Sequence, residues 1–325
     1  MTPSSPHGAD ILILGAGMAG LSAATVLQRA GRRVLVLDKG RSVGGRMATR
    51  RIGEAVFDHG AQFMTARSAR FAATLGDMVE NGAVVEWCRG FAEQSDGHPR
   101  WRGHPGMTAV PKRLAAGVDV RLETQIVSVS ETASGWLAST NDGETFTAGA
   151  LLLTAPVPQS LALLDVGGFQ LTEPMRTRLE AIEYERCLVV LAVLDGPSQL
   201  SSPGGRQFTD GPISFLADNQ VKGISSEPAV TIHATHAFSI EHWAGDRQQS
   251  GRELLLAAAP WLGTSVKEFH GHAWRYSKPM RAEDSACVLA NEAPPLVFAG
   301  DAFAGSKVEG AALSGWAAAE VLTQY

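Results

Sequence analysis

The chain has 325 residues, of which 45% are hydrophobic and 19% are charged, a balance typical of a globular rather than a disordered protein. At about 150 residues per domain the length predicts two domains, and the net charge of −5 argues against a nucleic acid as the main partner. The three cysteines are widely spaced and odd in number, so neither a disulfide framework nor a thiolate zinc site is expected.

Two further features concern the compartment. The longest purely apolar run, 187–194, is far shorter than the about 20 residues of a membrane-spanning helix. The first ten residues lack the basic and apolar regions of a signal peptide. We therefore expect a soluble, cytoplasmic protein with no membrane partner.

The first 38 residues are predicted to form a β-α-β unit. A polar tail over 1–9 precedes a wholly apolar strand at 11–14, a helix over 17–30 and a second apolar strand at 34–37. Short apolar runs bounded by glycine are typical of buried parallel strands. The unit therefore predicts the start of a parallel sheet.

The pattern of the remaining chain changes near residue 157. Before it we predict helices at 68–80 and 108–116, a polar loop at 90–106 and strands at 118–123, 126–130, 136–140, 146–147 and 151–153. After it we predict long strands at 186–194 and 229–235, a helix at 252–262, a buried strand at 296–298 and a terminal helix at 310–323.

This order of elements predicts an α/β protein whose second domain is α+β. The first domain is a Rossmann-type nucleotide-binding domain built from discontinuous segments, 1–70, 117–156 and 286–325. The second, an inserted substrate domain with a mostly antiparallel sheet, comprises 71–116 and 157–285.

A glycine motif joins the first strand to the first helix. Gly15, Gly17 and Gly20 fit G-x-G-x-x-G, whose glycines permit a tight turn, the approach of a pyrophosphate and close helix packing. The helix N-terminus offers free N–H groups to the phosphates. Asp38 ends the second strand, where a carboxylate accepts hydrogen bonds from ribose hydroxyls. The motif predicts dinucleotide binding; the alternative is a turn whose glycines serve packing alone.

Two other segments favour FAD over NAD as the dinucleotide. Gly44 and Gly45 let the backbone pass close to a flat cofactor, and Arg46 offers a cation to the pyrophosphate. Near the C-terminus a strand ends at 300–301, and a new helix opens around Gly310. We expect the N-terminus of this helix to face the edge of the flavin where negative charge gathers on reduction. An NAD site needs no such element.

The motifs ILILGAGMAGLSAA, LDKGRSVGGRM, DHGAQF and VFAGD with KVEGAALSG resemble those of the flavin amine oxidase superfamily. Within it, the segments GHPGMTAV, LLLTAPVPQ, TIHAT and HAWRYSKP are similar to those of renalases, and the likeness covers nearly the whole chain. The resemblance implies an FAD enzyme that oxidises 2- and 6-dihydro isomers of NAD(P)H to NAD(P)+. In such enzymes hydride passes to flavin N5 and the electrons go to O2, which yields hydrogen peroxide.

The resemblance also bears on cofactor attachment and partners. No cysteine lies near the C-terminal flavin motif, so the FAD is expected to be non-covalent. The expected partners are a dihydronicotinamide compound and O2. The protein is expected to be a monomer or a dimer.

One position departs from the amine-oxidising branch of that superfamily. Those enzymes have a tyrosine two residues before the Glu-Gly of the C-terminal motif, where this chain has Lys307. A cation there disfavours an ammonium substrate and tolerates phosphates. A flavin-dependent amine oxidase or a carotenoid-type desaturase of the same superfamily is the first alternative. A non-catalytic FAD-binding redox protein is the second.

The predicted site residues fall into two groups. The catalytic residues, which we expect to position the substrate, are His233, Tyr276, Trp274 and Gln62, with Phe63, Trp101, Met107 and Gln207 as further candidates. The cofactor-binding residues are Gly15, Gly17, Met18, Ala19, Gly20, Asp38, Lys39, Gly44, Gly45, Arg46, Gly60, Ala61, Gln62, Ile126, Gly300, Asp301, Glu309, Gly310 and Ala311.

The substrate candidates also have plainer interpretations. A lone strand histidine such as His233 is often an ordinary core or surface residue, and Trp274 with Tyr276 share a face that is equally consistent with core packing. No metal site is expected, because His233 and His236 would point to opposite faces of a strand.

Overall fold

The computed structural model describes residues 7–91 and 95–325. The strands of this part of the chain are β1 (His7–Leu14), β2 (Val34–Leu37), β3 (Thr49–Ile52), β4 (Ala55–Asp58), β5 (Val84–Cys88), β6 (Arg100–Gly103), β7 (Asp119–Arg121), β8 (Ile126–Thr132), β9 (Gly135–Thr140), β10 (Thr145–Leu153), β11 (Tyr184–Leu194), β12 (Gly205–Gln207), β13 (Ile213–Asp218), β14 (Ala229–Ala234), β15 (Val266–Pro279), β16 (Val288–Glu292) and β17 (Pro295–Phe298). The helices are α1 (Met18–Arg29), α2 (Ala69–Glu80), α3 (Ala109–Ala115), α4 (Val157–Val166), α5 (Glu173–Glu180), α6 (His236–Glu241), α7 (Arg247–Leu262) and α8 (Val308–Leu322).

The chain divides into two compact units, of which unit 1 takes in the described residues up to 45, then 111–183 and 278–325. Its eight-stranded sheet has the order β16-β17-β10-β1-β2-β7, and β9 pairs with both β10 and β8. The five strands β7, β2, β1, β10 and β17 run parallel. Their carboxyl ends therefore lie along one edge of the sheet, where ligands of such sheets bind.

The core of unit 1 joins this sheet to α1 and α8. Ile13, Val36 and Leu152 point from three neighbouring strands into one cluster with Leu21 of α1 and Ala318 of α8, and all five are fully buried. Each buried aliphatic side chain of this size contributes about 1.5–3 kcal/mol. Burial on both sheet faces explains why the strands read as continuous apolar runs.

Unit 2 comprises 46–110 and 184–277. Its five-stranded sheet has the order β12-β13-β14-β11-β15, and the pairs β12–β13, β13–β14 and β14–β11 are antiparallel. Two hairpins, β3–β4 and β5–β6, belong to the same unit. Phe57 of β4 packs with Val189 and Leu191 of β11 in a buried cluster, which ties the first hairpin to the sheet.

The predicted fold class is confirmed, since a parallel Rossmann-like sheet built from discontinuous segments lies in one unit and antiparallel sheets lie in the other. The boundaries of the units differ from the predicted domain boundaries at two long segments, 46–70 and 157–183, and at two short ones, 111–116 and 278–285. The first segment contains β3–β4, whose Phe57 packs within unit 2. The second contains α4, which packs on β8 of unit 1.

Several local predictions are wrong. Of the predicted polar tail, residues 1–6 lie outside the described residues and 7–9 belong to β1. The predicted loop at 90–106 contains β6, with 92–94 again outside the description. The strands predicted at 146–147 and 151–153 are one strand, β10. Backbone pairing explains these differences, because the polar start of β1 is held by parallel pairing with β10.

The helices of the described residues include none that is both long and apolar enough to span a bilayer.

Candidate functional site

The turn between β1 and α1 in unit 1 presents open backbone. Gly17 is the N-cap of α1, and no side chain caps the helix. A β-carbon at Gly17 would meet no atom of the described residues within 4 Å, so free space adjoins the helix N-terminus. Met18, Ala19 and Gly20 follow as the buried first turn. The uncapped N–H groups and the helix dipole suit a phosphate here.

Asp38 braces this turn. Its Oδ2 accepts a hydrogen bond from the N–H of Ala16 and its Oδ1 accepts one from the N–H of Gly40, both at 2.7 Å. The N–H of Gly15 donates to the carbonyl oxygen of Leu37 at 2.8 Å. A carboxylate has about four acceptor sites, so two backbone bonds leave Asp38 able to accept hydroxyl protons. Lys39 follows it and is exposed.

The segment 44–45 and Ile126 lie next to the same turn. The N–H of Gly44 donates to the carbonyl oxygen of Ala16 at 2.8 Å. The N–H of Thr124 donates to the carbonyl oxygen of Asp38 at 3.0 Å, which brings the start of β8, at Ile126, beside the end of β2. These contacts gather three sequence-distant segments around the first glycine motif.

The C-terminal motif meets α1 from another side. A β-carbon at Gly315 of α8 would overlap the carbonyl oxygen of Ala19, so the two helices touch at their backbones. The N–H of Gly300, after β17, donates to Ser314 Oγ at 2.9 Å. The other predicted residues here are Asp301, directly after Gly300, and Glu309, Gly310 and Ala311 in the first turn of α8.

The predicted cofactor residues of unit 1 are thus gathered at the carboxyl ends of β1, β2 and β17. The open N-terminus of α1, the braced carboxylate of Asp38 and the backbone contact of α8 with α1 fit a dinucleotide cofactor. The remaining predicted cofactor residues, Arg46, Gly60, Ala61 and Gln62, belong to unit 2.

In unit 2, Arg46 packs against the turn that follows β4. Its Nη1 donates to the carbonyl oxygens of Tyr276 at 3.3 Å and Ser277 at 3.2 Å. The carbonyl oxygen of Arg46 accepts from the N–H of Ala61 at 2.8 Å. A β-carbon at Gly60 would overlap that same carbonyl, so the turn requires glycine there.

A buried ion pair lies at the start of this turn. Lys222 Nζ is 2.8 Å from Asp58 Oδ2, and neither side chain has exposed surface. The same ammonium donates to Gln62 Oε1 at 3.1 Å and lies 4.9 Å from the centroid of the Trp87 ring. Burial lowers the pKa of Lys222, and the charge of Asp58 opposes that shift. A carboxylate, an amide and a ring face thus surround the ammonium.

The other atoms of this network are also engaged within unit 2. Asp58 Oδ1 accepts from Thr49 Oγ1 at 2.7 Å and from the N–H of Met107 at 2.8 Å. Gln62 Nε2 donates to the carbonyl oxygens of Asp58 at 2.6 Å and Gly60 at 3.2 Å. The structure therefore places the Gln62 side chain as a brace of its own turn.

His59 is the centre of an aromatic cluster. Its carbonyl oxygen accepts from Trp274 Nε1 at 2.9 Å and contacts His233 Nε2 at 3.2 Å. Its ring stacks on Trp274 with centroids 5.2 Å apart, and it meets His272 edge-on at 4.9 Å. Two of the predicted residues, His233 and Trp274, are thus brought together by a third that the prediction omitted.

The imidazoles of this cluster are held neutral. Burial lowers the pKa of His59 to about 4, with a smaller contribution from the neighbouring His272. Burial likewise lowers the pKa of His233 to about 4 and also lowers that of His272. At neutral pH the cluster is therefore aromatic and uncharged, with the His59 and Trp274 rings stacked and the His272 ring edge-on to both.

Tyr276 lies outside this cluster, since its ring packs edge-on against Tyr184 with centroids 5.4 Å apart. Phe63 belongs to a second aromatic group with Trp87, Phe91 and Phe215. Across the described chain, no group of three or more His, Cys, Asp or Glu side chains is placed to hold a metal ion.

Sequence reasoning missed Asp58, His59, Lys222 and His272 as site residues. The quoted motif DHGAQF contains the first two, so their proximity to Gly60 was a usable signal. Lys222 carries no signal of its own, because its carboxylate partner lies 164 residues away in sequence.

Comparisons with known proteins agree with this geometry. The family model "Flavin containing amine oxidoreductase" matches residues 71–323, and that of an NAD(P)-binding Rossmann-like domain matches residues 13–77. Renalase of Mus musculus is 25% identical over 343 aligned positions, which cover 97% of this chain and 99% of that protein. A 42-residue segment is 57% identical to L-amino-acid oxidase of Echis ocellatus, over 13% of this chain and 8% of that one.

Solved structures share the fold. Putrescine oxidase bound to putrescine superposes with a TM-score of 0.71 at 15% identity, over 99% of this chain and 100% of the other. The CLA-producing fatty acid isomerase of P. acnes superposes with a TM-score of 0.67 at 14% identity, over 98% of each chain. At such identities the likeness concerns the fold alone.

Proposed function

Because the chain belongs to the family of flavin-containing amine oxidoreductases, and is thereby an FAD-dependent oxidoreductase, we propose that it oxidises 2- and 6-dihydro isomers of NAD(P) to NAD(P)+. FAD, when bound, would supply the hydride acceptor, and the electrons would then go to O2 to give hydrogen peroxide. One observation carries the choice of substrate: the stacked rings of His59 and Trp274 in unit 2 form an aromatic, uncharged surface.

Such a surface suits a dihydropyridine ring. The ring is neutral and planar, and it can stack on Trp274 or an imidazole without an ion pair. An ammonium substrate would favour a carboxylate or an electron-rich aromatic cage. Within the described residues, no carboxylate contacts the rings of His59, His233 or Trp274.

We assign the residues of unit 2 a positioning role. Loss of hydride from a dihydropyridine forms an aromatic ring, so the step needs no strong base. Rate then depends on how firmly the donor ring is held. His233 and Trp274 both contact the carbonyl oxygen of His59, which fixes the three residues relative to one another. Lys222 fixes the same turn through Asp58 and Gln62.

In unit 1 we assign the pyrophosphate to the N-terminus of α1 and the ribose to Asp38. The N-terminus of α8 is the second helix N-terminus among the cofactor residues of unit 1, and the dipole of that helix stabilises nearby negative charge. The N-cap of α8 is Lys307, at the position where the resemblance to amine oxidases predicts tyrosine. A cation there opposes a substrate that carries a positive charge.

The proposal is tested by anaerobic mixing. Purified FAD-loaded enzyme is mixed without O2 with 2- or 6-dihydro-NAD(P), and the flavin absorbance at about 450 nm is followed. We expect bleaching, followed by recovery and hydrogen peroxide release when O2 is admitted. Parallel mixing with primary and tertiary amines should leave the absorbance unchanged. Bleaching by an amine but by neither dihydro isomer would replace the proposal with an amine oxidase.

A further inference from the structure

Arg102 differs from the arginine two residues before it in β6. Arg100 makes two hydrogen bonds to the Asp96 carboxylate, at 2.8 and 3.0 Å. Arg102 makes one, from Nη1 to the carbonyl oxygen of its neighbour Gly103 at 3.2 Å. Its Nε and Nη2 have no hydrogen-bond partner within residues 7–91 and 95–325, and no carboxylate of that part of the chain pairs with it. One edge of the guanidinium fork is therefore unused.

The carboxylate whose charge acts on Arg102, that of Asp58, is already engaged by other donors. Asp58 is close enough for its charge to raise the pKa of Arg102, against the larger lowering caused by burial. Both of its oxygens are taken, Oδ2 by Lys222 and Oδ1 by Thr49 and Met107. The charge of Arg102 in turn lowers the pKa of Lys222. Among the described residues, Lys222 and Arg102 are thus two interacting cations that share the influence of one carboxylate, Asp58.

Gly223 lies directly against the guanidinium. A β-carbon at Gly223 would lie 3.0 Å from Arg102 Nη2, so a side chain there would press on the group. Arg102 is partly buried, and part of its surface stays accessible to a ligand. A partly desolvated charge without a partner is unfavourable, and an anion that enters removes that cost.

We propose that Arg102 is the binding residue of an oxyanion site in unit 2, and that the site takes a phosphate group. The Nε–Nη2 edge presents parallel N–H donors in the geometry that phosphate oxygens accept. The neighbouring ammonium of Lys222 adds positive potential without using another donor. The phosphate belongs either to the nucleotide substrate or to a free ion. The first of these sources rests on the function proposed above, whereas the site itself does not.

The site is tested by calorimetric titration of FAD-loaded enzyme with inorganic pyrophosphate at low ionic strength. The variants are Arg102→Leu, Arg102→Lys, and the control Arg51→Leu, which removes the same charge from an exposed position of the same unit. We expect the first variant to bind at least about tenfold more weakly than the parent, because a charge-assisted bidentate contact is lost. The affinity of Arg102→Lys for pyrophosphate should lie between those of the parent and Arg102→Leu. The control should bind pyrophosphate as the parent does.

The site is overturned if the parent enzyme binds no pyrophosphate, or if folded Arg102→Leu, checked by circular dichroism, binds it as the parent does. If Arg102→Leu does not fold, Arg102→Lys decides the question. An unchanged affinity of that variant for pyrophosphate would show that the guanidinium makes no bidentate contact with it. A second arm compares the KM for 6-dihydronicotinamide mononucleotide and for its phosphate-free riboside. A rise in KM for the mononucleotide alone in Arg102→Leu assigns the phosphate to the substrate. Equal changes assign the site to a free ion. If neither these compounds nor 2- or 6-dihydro-NAD(P) reduce the flavin, the proposed function fails while the pyrophosphate result stands.

Discussion

Lys222 Nζ lies 2.8 Å from Asp58 Oδ2 with both side chains fully buried, and this pair anchors the turn that carries His59, Gly60 and Gln62. Removal of one member of a buried ion pair leaves an uncompensated charge. We therefore expect Lys222→Met to lower the free energy of unfolding by about 3–5 kcal/mol. Urea denaturation followed by tryptophan fluorescence measures it.

The matched control for this variant is the double substitution Lys222→Met with Asp58→Asn, which removes both charges. It should recover part of the stability lost by the single substitution. A single variant within about 1 kcal/mol of the parent would show that the pair contributes no more than an exposed ion pair.

Because the imidazoles of the His59 cluster are neutral in the folded protein, the stability of the protein is predicted to fall at acid pH. The pKa values of His59 and His233 in the folded chain are about 4, against 6.5 for the free side chain. The unfolded chain therefore binds more protons, so stability is complete above pH 6.5 and is lost as the pH falls towards 4. Shifts of this size correspond to about 3 kcal/mol for each ring.

The melting temperature, followed from about pH 7.5 to about pH 4, measures this loss of stability, because histidine takes up its proton within about this range. His59→Phe should flatten the curve, because the ring that resists protonation is gone. His98→Asn, at an exposed position, should leave the curve unchanged. A parent curve that is flat over this range would contradict the neutral cluster.

Substitutions at Gly17 and Asp38 are predicted to weaken FAD binding. Gly17→Val fills the free space at the N-terminus of α1, and Asp38→Ala removes two hydrogen bonds that shape the turn. Each variant should bind FAD at least about tenfold more weakly. The ratio of flavin to protein absorbance after desalting measures retention, with the exposed Asp119→Ala as control. Fully loaded, yellow Gly17→Val enzyme would refute the placement of the pyrophosphate.

Substitution by alanine is predicted to have opposite effects on stability at two helical glycines, because Gly315 lies at the contact of α1 with α8 and Gly76 does not. Gly315→Ala would drive its β-carbon into the carbonyl oxygen of Ala19, and overpacking of this kind costs about 1–3 kcal/mol. Gly76→Ala, within α2, meets no atom of the described chain within 4 Å and should stabilise by about 0.5–1 kcal/mol. Thermal melts of both variants measure the difference. Equal melting temperatures would show that the helices do not touch at Gly315.

The β1-α1-β2 unit could be predicted because its signals are local. Apolar runs, three glycines and one terminal carboxylate all lie within 38 residues. The structure adds detail such as the hydrogen bonds that Asp38 accepts from the N–H groups of Ala16 and Gly40. The network of unit 2 could not be predicted in the same way. Lys222 and Asp58 are 164 residues apart, and His59 meets Trp274 across 215 residues. Each is ordinary in its own segment, and only the fold brings them together.

The central claim is that this FAD-dependent oxidoreductase takes electrons from a dihydronicotinamide isomer. A single-turnover titration tests it most directly: FAD-loaded enzyme without O2 receives increasing 6-dihydro-NAD, and NAD+ is quantified by chromatography. The account predicts complete loss of flavin absorbance after one equivalent, with one equivalent of NAD+ formed. An oxidised flavin spectrum that persists in excess 6-dihydro-NAD and 2-dihydro-NAD(P), in protein that retains its FAD, would contradict it.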